Sequence, residues 1–269
     1  MEAAVGARPL ASRTAASITV PYDATSKGRY VPCARDPAGG DDRVSDAAIF
    51  RAALGDDFDR LHPMMQRRFG VSLAAGYACV GRGTMTRIRR GPWWTVPFLL
   101  IGRLRHILVA DIGTDVPFIV ENYPYRVPLG RETVTFVREY RARTKPARFD
   151  ATMVLDSERR TIVDYLGTHQ HLAVDLHLEV DDRGGLILRS DAQRFYEGPV
   201  AFRFPMLFSG RAELHEHYDD TVGAFHIALE VRNRLFGFLF GYEGWFTCEY
   251  PEASDAPDRL KPIRHERRL

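Results

Sequence analysis

Carboxylates and histidines cluster in the middle of the chain, at Asp164, His169, His171 and Asp175. A carboxylate within hydrogen-bonding distance of an imidazole orients the ring and raises its basicity, as a general base requires near neutral pH. The spacing predicts His169 or His171 as a base that Asp164 or Asp175 orients, with Tyr165 in contact with a ligand. The alternative is an outer polar face on which these side chains are solvated.

A second cluster contains Glu213, His215 and His217, and His226 lies on the next predicted strand. Alternation along a strand places the first three on one face, and a hairpin at 219–222 brings His226 opposite them. Such imidazoles could bind Zn²⁺ or Fe²⁺. Because His-x-His also suits a solvated outer face, we predict no metal and no cofactor. His215, His217 and His226 are the candidates if a metal is bound.

Arginines on predicted strands are the third group that could carry chemistry. An arginine inside a barrel usually binds a carboxylate or phosphate, because its charge is costly to bury unpaired, whereas an outward arginine forms cross-strand pairs. Six arginines fall on or beside predicted strands: Arg126, Arg138, Arg148, Arg194, Arg203 and Arg232. Of these we select Arg148 and Arg194 as ligand-binding residues, together with the aromatic residues Trp93, Trp94 and Tyr242.

The elements that position these residues are β-strands. In the run from His171 to Val180, Leu172, Val174 and Leu176 share one face while Asp175 and His177 share the other. Similar runs, each closed by a turn signal, continue to Tyr250 and predict about ten strands with short connections. The predicted fold is mainly β, an antiparallel barrel or strongly curved half-barrel. Gly237, Gly241 and Gly244 indicate bends or close backbone approach in the last strand.

Helices and extensions complete the predicted organisation. Ser45 and Asp46 can cap one helix, and Asp56 and Asp57 can cap a second that carries apolar residues as far as Phe69. The apolar segment 92–104 predicts a short lid helix over a barrel mouth. We therefore expect a disordered extension at 1–44, one β-rich domain at 45–252 that begins with the helical pair, and a basic, solvated tail at 253–269.

Composition excludes several classes of protein. A net charge of +2 lacks the basic excess of a nucleic-acid binder. No apolar stretch approaches the ~18 residues that a membrane span needs. Three scattered cysteines and the lack of a signal peptide predict a cytoplasmic protein. The familiar phosphate-loop, nucleophile-elbow and zinc-protease motifs are absent from the sequence.

Several short motifs resemble a bacterial family catalogued as domain of unknown function 4166. They are RFDATM at 148–153, IVDYLGTHQHL at 162–172, QRFYEG at 193–198 and FGFLFGYEG at 236–244, and the entry helices at 49–55 and 58–63 are similar too. The family name implies no activity. Its members are also similar to domains found beside an oxidoreductase-like nucleotide-binding domain, so the resemblance implies a separate oxidoreductase as a partner.

Three functions remain open at this point. The first is the binding of a hydrophobic or amphipathic small molecule in a barrel cavity, which the strand number and aromatic content favour. The second is a cofactor-independent isomerase, cyclase or lyase of secondary metabolism that uses the same cavity. The third is a partner module for a nucleotide-dependent oxidoreductase, docked through Trp93, Trp94 and Phe98.

Overall fold

A computed structural model describes residues 47–96, 112–141, 146–197, 199–203 and 210–269. The predicted extension at 1–44 and most of the predicted lid lie outside these residues. The described residues belong to one compact unit. The predicted fold class is confirmed: the described chain is mainly β, and its strands form one curled antiparallel sheet.

Fourteen strands can be delimited within the described residues. They are β1 (Cys79–Arg90), β2 (Gly113–Asn122), β3 (Pro124–Arg126), β4 (Glu132–Thr135), β5 (Val137–Tyr140), β6 (Ala147–Phe149), β7 (Ala151–Asp156), β8 (Thr161–Leu166), β9 (Leu172–Val180), β10 (Leu186–Glu197), β11 (Val200–Arg203), β12 (Arg211–Asp219), β13 (Ala224–Asn233) and β14 (Gly237–Glu249).

The sheet closes into a barrel, because its first and last strands pair with each other. Single residues, Tyr123, Phe136 and Asp150, interrupt three long strands and split them into β2 and β3, β4 and β5, and β6 and β7. When each interrupted strand is counted as one and β11 is set aside, consecutive strands pair antiparallel from β1 to β14, and β14 pairs with β1 again. With the interrupted strands joined, ten strands form this ring, as the sequence predicts, and β11 adds to one edge of β10.

Two short helices precede the barrel, α1 (Ile49–Leu54) and α2 (Pro63–Phe69), with a 3₁₀ turn at Gly55–Arg60 between them. The second predicted helix starts later than expected, because the residue before a proline avoids helical backbone angles. His62 accordingly has a ψ of 142° and caps α2, its Nδ1 accepting a hydrogen bond from the Met64 amide at 3.2 Å. The predicted cap at Ser45 and Asp46 lies outside the described residues.

The helices close one end of the barrel. The His62 amide donates to the carbonyl of Gly184 at 2.9 Å in the hairpin between β9 and β10. Phe50, Phe58 and Met65 are buried together with inward side chains of the strands. At the other end, the predicted lid begins with only a 3₁₀ turn at Trp93–Thr95, and its continuation lies outside the described residues.

Each strand has one inward and one outward face. On β8, Ile162 and Leu166 belong to the main core, whereas Val163 and Tyr165 belong to a second cluster on the outer wall. A fold with this alternation buries every second residue inside the barrel. The position of a polar residue in the alternation therefore decides whether it can meet a ligand inside.

The C-terminal segment packs on the outer wall, which corrects the prediction of a solvated tail. Glu266 is buried, and its amide donates to Gln170 Oε1 at 2.6 Å. The Ile263 amide donates to the Thr168 carbonyl at 2.8 Å, and the Tyr165 hydroxyl donates to the Arg268 carbonyl. The segment thereby covers the outer apolar cluster. Its basic composition misled the prediction, because its backbone makes much of the contact.

Candidate interior site

Polar side chains meet inside the barrel where the alternation of three strands places them. Asp164 lies between the core residues Ile162 and Leu166 of β8 and therefore points inward. Arg138 and Tyr140 share the inward face of β5, and Tyr242 reaches the same region from β14. All four side chains are buried. We call Arg138, Tyr140, Asp164 and Tyr242 the interior cluster.

Arg138 is a cation buried among aromatic rings. Its guanidinium carbon lies 4.0 Å from the centroid of Phe149 and 4.6 Å from that of Phe136. Nη1 donates to the Tyr242 hydroxyl at 3.1 Å, while Nε has no hydrogen-bond partner among the described residues. A buried charge normally has an ionic partner as well as hydrogen bonds. Here the contact is to a neutral hydroxyl.

Asp164 is also affected by burial, which changes the pKa of its carboxyl group. Burial raises the pKa of this carboxyl to about 7, and the positive charge of Arg138 opposes the rise. Asp164 Oδ1 and the Tyr140 hydroxyl have no hydrogen-bond partner in the described part of the chain. Burial also raises the pKa of Tyr140 well above its usual value. The interior cluster thus offers a cation, a carboxyl that can gain or lose a proton near neutral pH, and a hydroxyl donor.

A second buried polar group, near the helical end, is by contrast satisfied. Arg68 of α2 pairs with Glu216 of β12, Nη2 donating to Oε2 at 3.1 Å. Its Nη1 donates to Asn122 Oδ1 at 3.0 Å and contacts Cys79 Sγ at 3.3 Å. The full set of partners indicates a structural role, which joins the helix to the barrel wall. Sequence reasoning missed this pair, because the two residues are far apart in the chain.

Of the two predicted histidines, His171 immediately precedes β9 and His169 lies in the turn before it. His171 Nδ1 is 2.8 Å from Glu197 Oε2 and 3.1 Å from the Tyr196 carbonyl oxygen. The His169 ring stacks on it at 5.3 Å. The acceptors found beside His171 therefore come from β10. A catalytic pairing of His169 or His171 with Asp164 or Asp175 stays a prediction.

Asp175 and Arg194 are brought together, but on the outer wall. Arg194 Nη1 donates to Asp175 Oδ2 at 2.8 Å, and Arg159 donates to the same oxygen at 2.7 Å. Burial alone would raise the pKa of Asp175, but the hydrogen bonds from both arginines hold it below its usual value. This arrangement is a structural ion pair that joins β9 and β10 to the preceding hairpin.

Arg148 and Tyr165 also face outward. Arg148 pairs with Asp150 at 2.5 Å and donates to the Arg259 carbonyl at 2.7 Å, while Tyr165 lies under the C-terminal segment. The two predicted tryptophans are exposed, Trp93 to 79% and Trp94 to 53% of their surface. Of the ligand-binding residues selected from the sequence, the structure places Tyr242 in the barrel interior.

The three candidate metal ligands lie together on the outer face. His217 pairs across the strands with His226, and their ring centroids are 5.1 Å apart. His215 Nε2 is 2.7 Å from Asp181 Oδ2. Burial, followed by neighbouring imidazoles, lowers the pKa of both His217 and His226. Within the described ranges, no group of three or more His, Cys, Asp or Glu residues has an arrangement that could hold a metal ion.

Comparison with known proteins agrees with the pattern of motifs. The family described as Domain of unknown function (DUF4166) matches residues 61–246. The chain belongs to this family. A relative from Bacillus subtilis (strain 168), "Uncharacterized protein YndH", is 27% identical over 197 residues, which are 73% of this chain and 95% of the relative. No solved structure matches significantly.

The family range includes the whole interior cluster of this DUF4166 chain. Arg138 could have been found from its neighbours, because Val134, Phe136 and Tyr140 alternate with it on one apolar face. By the same reasoning Arg148 is outward, since it alternates with Ala147 and Phe149. For the described residues, no helix has both the length and the apolar character to cross a membrane.

Proposed function

We propose that this protein binds a small amphipathic molecule inside the barrel, with the interior cluster contacting its polar group. The observation that carries the proposal is Arg138, a fully buried cation whose hydrogen bond goes to a neutral hydroxyl. A carboxylate or other oxyanion on the ligand would supply the charge partner, since guanidinium groups bind such oxygens in a fork. The apolar part of the ligand would contact the aromatic side chains around it.

Asp164 and Tyr140 could form further hydrogen bonds with the polar group of such an amphipathic ligand. A protonated Asp164 and the Tyr140 hydroxyl can each donate a hydrogen bond, and an ionised Asp164 can accept one. Buried polar atoms in folded proteins nearly always have partners, and each unsatisfied one costs about 1–3 kcal/mol. A ligand that engages Asp164 Oδ1, Arg138 Nε and the Tyr140 hydroxyl would remove this cost.

Native mass spectrometry of the purified protein, together with pull-down from a lipid extract, tests this function. We expect the wild type to retain a small molecule, Arg138→Met to lose it and Tyr140→Phe to weaken its binding. Arg148→Met is the matched control, because Arg148 faces outward, and should bind as the wild type does. Recovery of no ligand by the wild type, or equal recovery by Arg138→Met and the wild type, would overturn the proposal.

An enzyme of the non-redox isomerase, cyclase or lyase class is the second candidate. The pKa of about 7 at Asp164 favours it, since a general acid or base works best when its pKa is near the operating pH. Once a ligand is identified, Asp164→Asn should abolish its conversion and preserve its binding. Full activity of Asp164→Asn would contradict this assignment. The same assay on His169→Ala and His171→Ala tests whether either histidine is the base.

The third candidate, a module that docks on a separate oxidoreductase, comes from the family resemblance. The exposure of Trp93 and Trp94 supports it, because exposed aromatic residues often mark an interface. Co-purification from the native host should recover the oxidoreductase with the wild type and lose it with Trp93→Ser/Trp94→Ser. A wild-type protein that purifies without such a partner would exclude this function.

A further inference from the structure

Exposed apolar side chains collect at the barrel end opposite the helices. Leu235 and Phe236 form the tip of the hairpin between β13 and β14, while Trp93 and Trp94 follow β1. These segments are neighbours, because the Gly91 amide donates to the Leu239 carbonyl at 2.7 Å. Ile112 is at the same end of the barrel, since the next residue, Gly113, pairs with Ile88 of β1. We call Trp93, Trp94, Ile112, Leu235 and Phe236 the apolar rim.

A cationic cleft of about 610 Å³ adjoins the hairpin tip. Arg189, Arg211, Arg232 and Arg234 line it, against the carboxylates of Glu213 and Glu230. Arg189 pairs with Glu213 at 2.7 Å and also with Glu179, while Glu230 pairs with Arg232 at 3.1 Å and with Arg89 at 3.2 Å. These three arginines and three carboxylates balance one another. Arg211 and Arg234 have no ion pair with any described residue, and they leave the cleft positive.

Two of the cleft arginines lie close enough to repel each other, which favours binding of an anion between them. Arg211 lies directly opposite Arg232 in the ladder between β12 and β13. Like charges in this position destabilise a sheet, and an anion between them would offset the repulsion. Arg234 precedes Leu235 and Phe236 in the chain, so an anion in the cleft would lie beside exposed apolar side chains. A phospholipid has this combination of a phosphate headgroup and adjacent acyl chains.

We infer that the apolar rim and the cationic cleft together dock on an anionic lipid surface. Tryptophan is favoured at the boundary between headgroups and acyl chains, where its ring is amphipathic. Arginines near such a surface are attracted to its negative potential. The rim would enter the headgroup region while Arg211 and Arg234 contact lipid phosphates. This inference is independent of a ligand in the barrel interior.

Co-sedimentation with vesicles tests the inference. Vesicles of phosphatidylcholine with about 30% phosphatidylglycerol should bind the wild type, whereas pure phosphatidylcholine should bind it far less. Each arginine should contribute about fivefold, so Arg211→Gln/Arg234→Gln should weaken binding up to about 25-fold. Leu235→Ser/Phe236→Ser should also weaken it. High salt should weaken wild-type binding, because the charges are exposed and screened.

The matched control is Val222→Ser/Arg183→Gln, which alters an exposed apolar residue and an exposed arginine at the helical end. This control should bind vesicles as the wild type does. Equal binding to both vesicle types, or binding lost equally in the control, would overturn the inference. Binding of inorganic phosphate without binding of vesicles would overturn it too. So would a rim that binds a second copy or another protein and no vesicles.

Discussion

Arg138 and Arg148 show how much a single residue's environment depends on strand register. Both lie on strands in the same part of the barrel wall, and a one-residue shift would exchange their faces. Arg138 is enclosed by Phe149 and Phe136, whereas Arg148 pairs with Asp150 outside. The alternation needed to distinguish them is visible in the sequence. The aromatic enclosure of Arg138 is not, because Phe149 comes from a different strand.

Asp164 should make stability depend on pH. Its pKa rises from 3.8 to about 7 on folding, so the folded state binds its proton more tightly than the unfolded state. This contribution is complete below about pH 4 and is lost as pH rises to about 7, a change of about 4 kcal/mol. Asp164→Asn should remove the dependence and be more stable than the wild type at pH 8.

Urea unfolding at pH 4, 5, 6, 7 and 8, ~1 pH unit apart, measures this difference. The free energy of unfolding of Asp164→Asn relative to the wild type should rise from pH 4 to about pH 7 and level off by pH 8. Asp175→Asn is the control: hydrogen bonds from two arginines on the outer wall hold the pKa of Asp175 below its usual value, so the difference for this variant should not rise with pH. A flat difference for Asp164→Asn would show that the carboxyl is ionised in the folded protein at low pH.

Glu216 should matter far more to stability than a carboxylate in an exposed pair. Glu216→Gln would leave the Arg68 charge buried without its ionic partner, which costs about 3–5 kcal/mol. Glu213→Gln breaks an exposed pair with Arg189 and should cost less than about 1 kcal/mol. Urea unfolding of the two variants at neutral pH compares them directly. Similar losses in both would mean that Arg68 finds water or another partner.

At the scale of elements, patterned segments were predictable and contact-dependent ones were not. The alternation of apolar and polar residues in the sequence of β9 predicts both that it is a strand and which of its faces points inward. The start of α2 could also have been placed correctly, because Pro63 marks it. The C-terminal segment has no such pattern. It is fixed by hydrogen bonds to Gln170, Thr168 and Tyr165, which become neighbours only in the folded barrel.

Deletion of residues 262–269 should therefore destabilise the protein. It would expose Tyr165 and Tyr196, whose rings lie beneath this segment, and uncovering an aromatic side chain costs about 3 kcal/mol. Urea unfolding measures the loss. Ile263→Ala is the control within the segment, since Ile263 is exposed and should change stability little. If the truncated protein unfolds like the wild type, the segment is not docked in solution.

At the scale of the whole molecule, closure of the barrel depends on one seam between distant parts of the chain. β1 and β14 pair there, although most of the described sequence lies between them. Pairing of such distant segments is slow to form, because loop-closure entropy opposes it. Strand number and class could be predicted from period and turns. The pairing of β1 with β14 could not be predicted, since no local sequence pattern shows which distant strands become neighbours.

Close backbone approach at this seam explains a glycine that the sequence singled out. A Cβ on Gly244 would lie 2.3 Å from the Thr84 carbonyl oxygen and 2.6 Å from Met85 Cα. Both atoms belong to the backbone of β1, so neither can move without displacing that strand. The ladder also shifts register between Met85 and Arg87, beside this contact. Gly244 is therefore required for β14 to meet β1 closely.

Gly244→Ala should weaken the seam and cost about 3 kcal/mol or more, because an overpacked contact must be relieved by moving backbone. Gly223→Ala is the control: Gly223 has a φ of +71° but no atom within 4 Å of an added Cβ, so only backbone strain of about 1 kcal/mol is expected. Urea unfolding gives both values, and amide exchange of β1 and β14 should rise selectively in Gly244→Ala. Equal losses in the two variants, with no local rise in exchange, would show that closure does not depend on this contact.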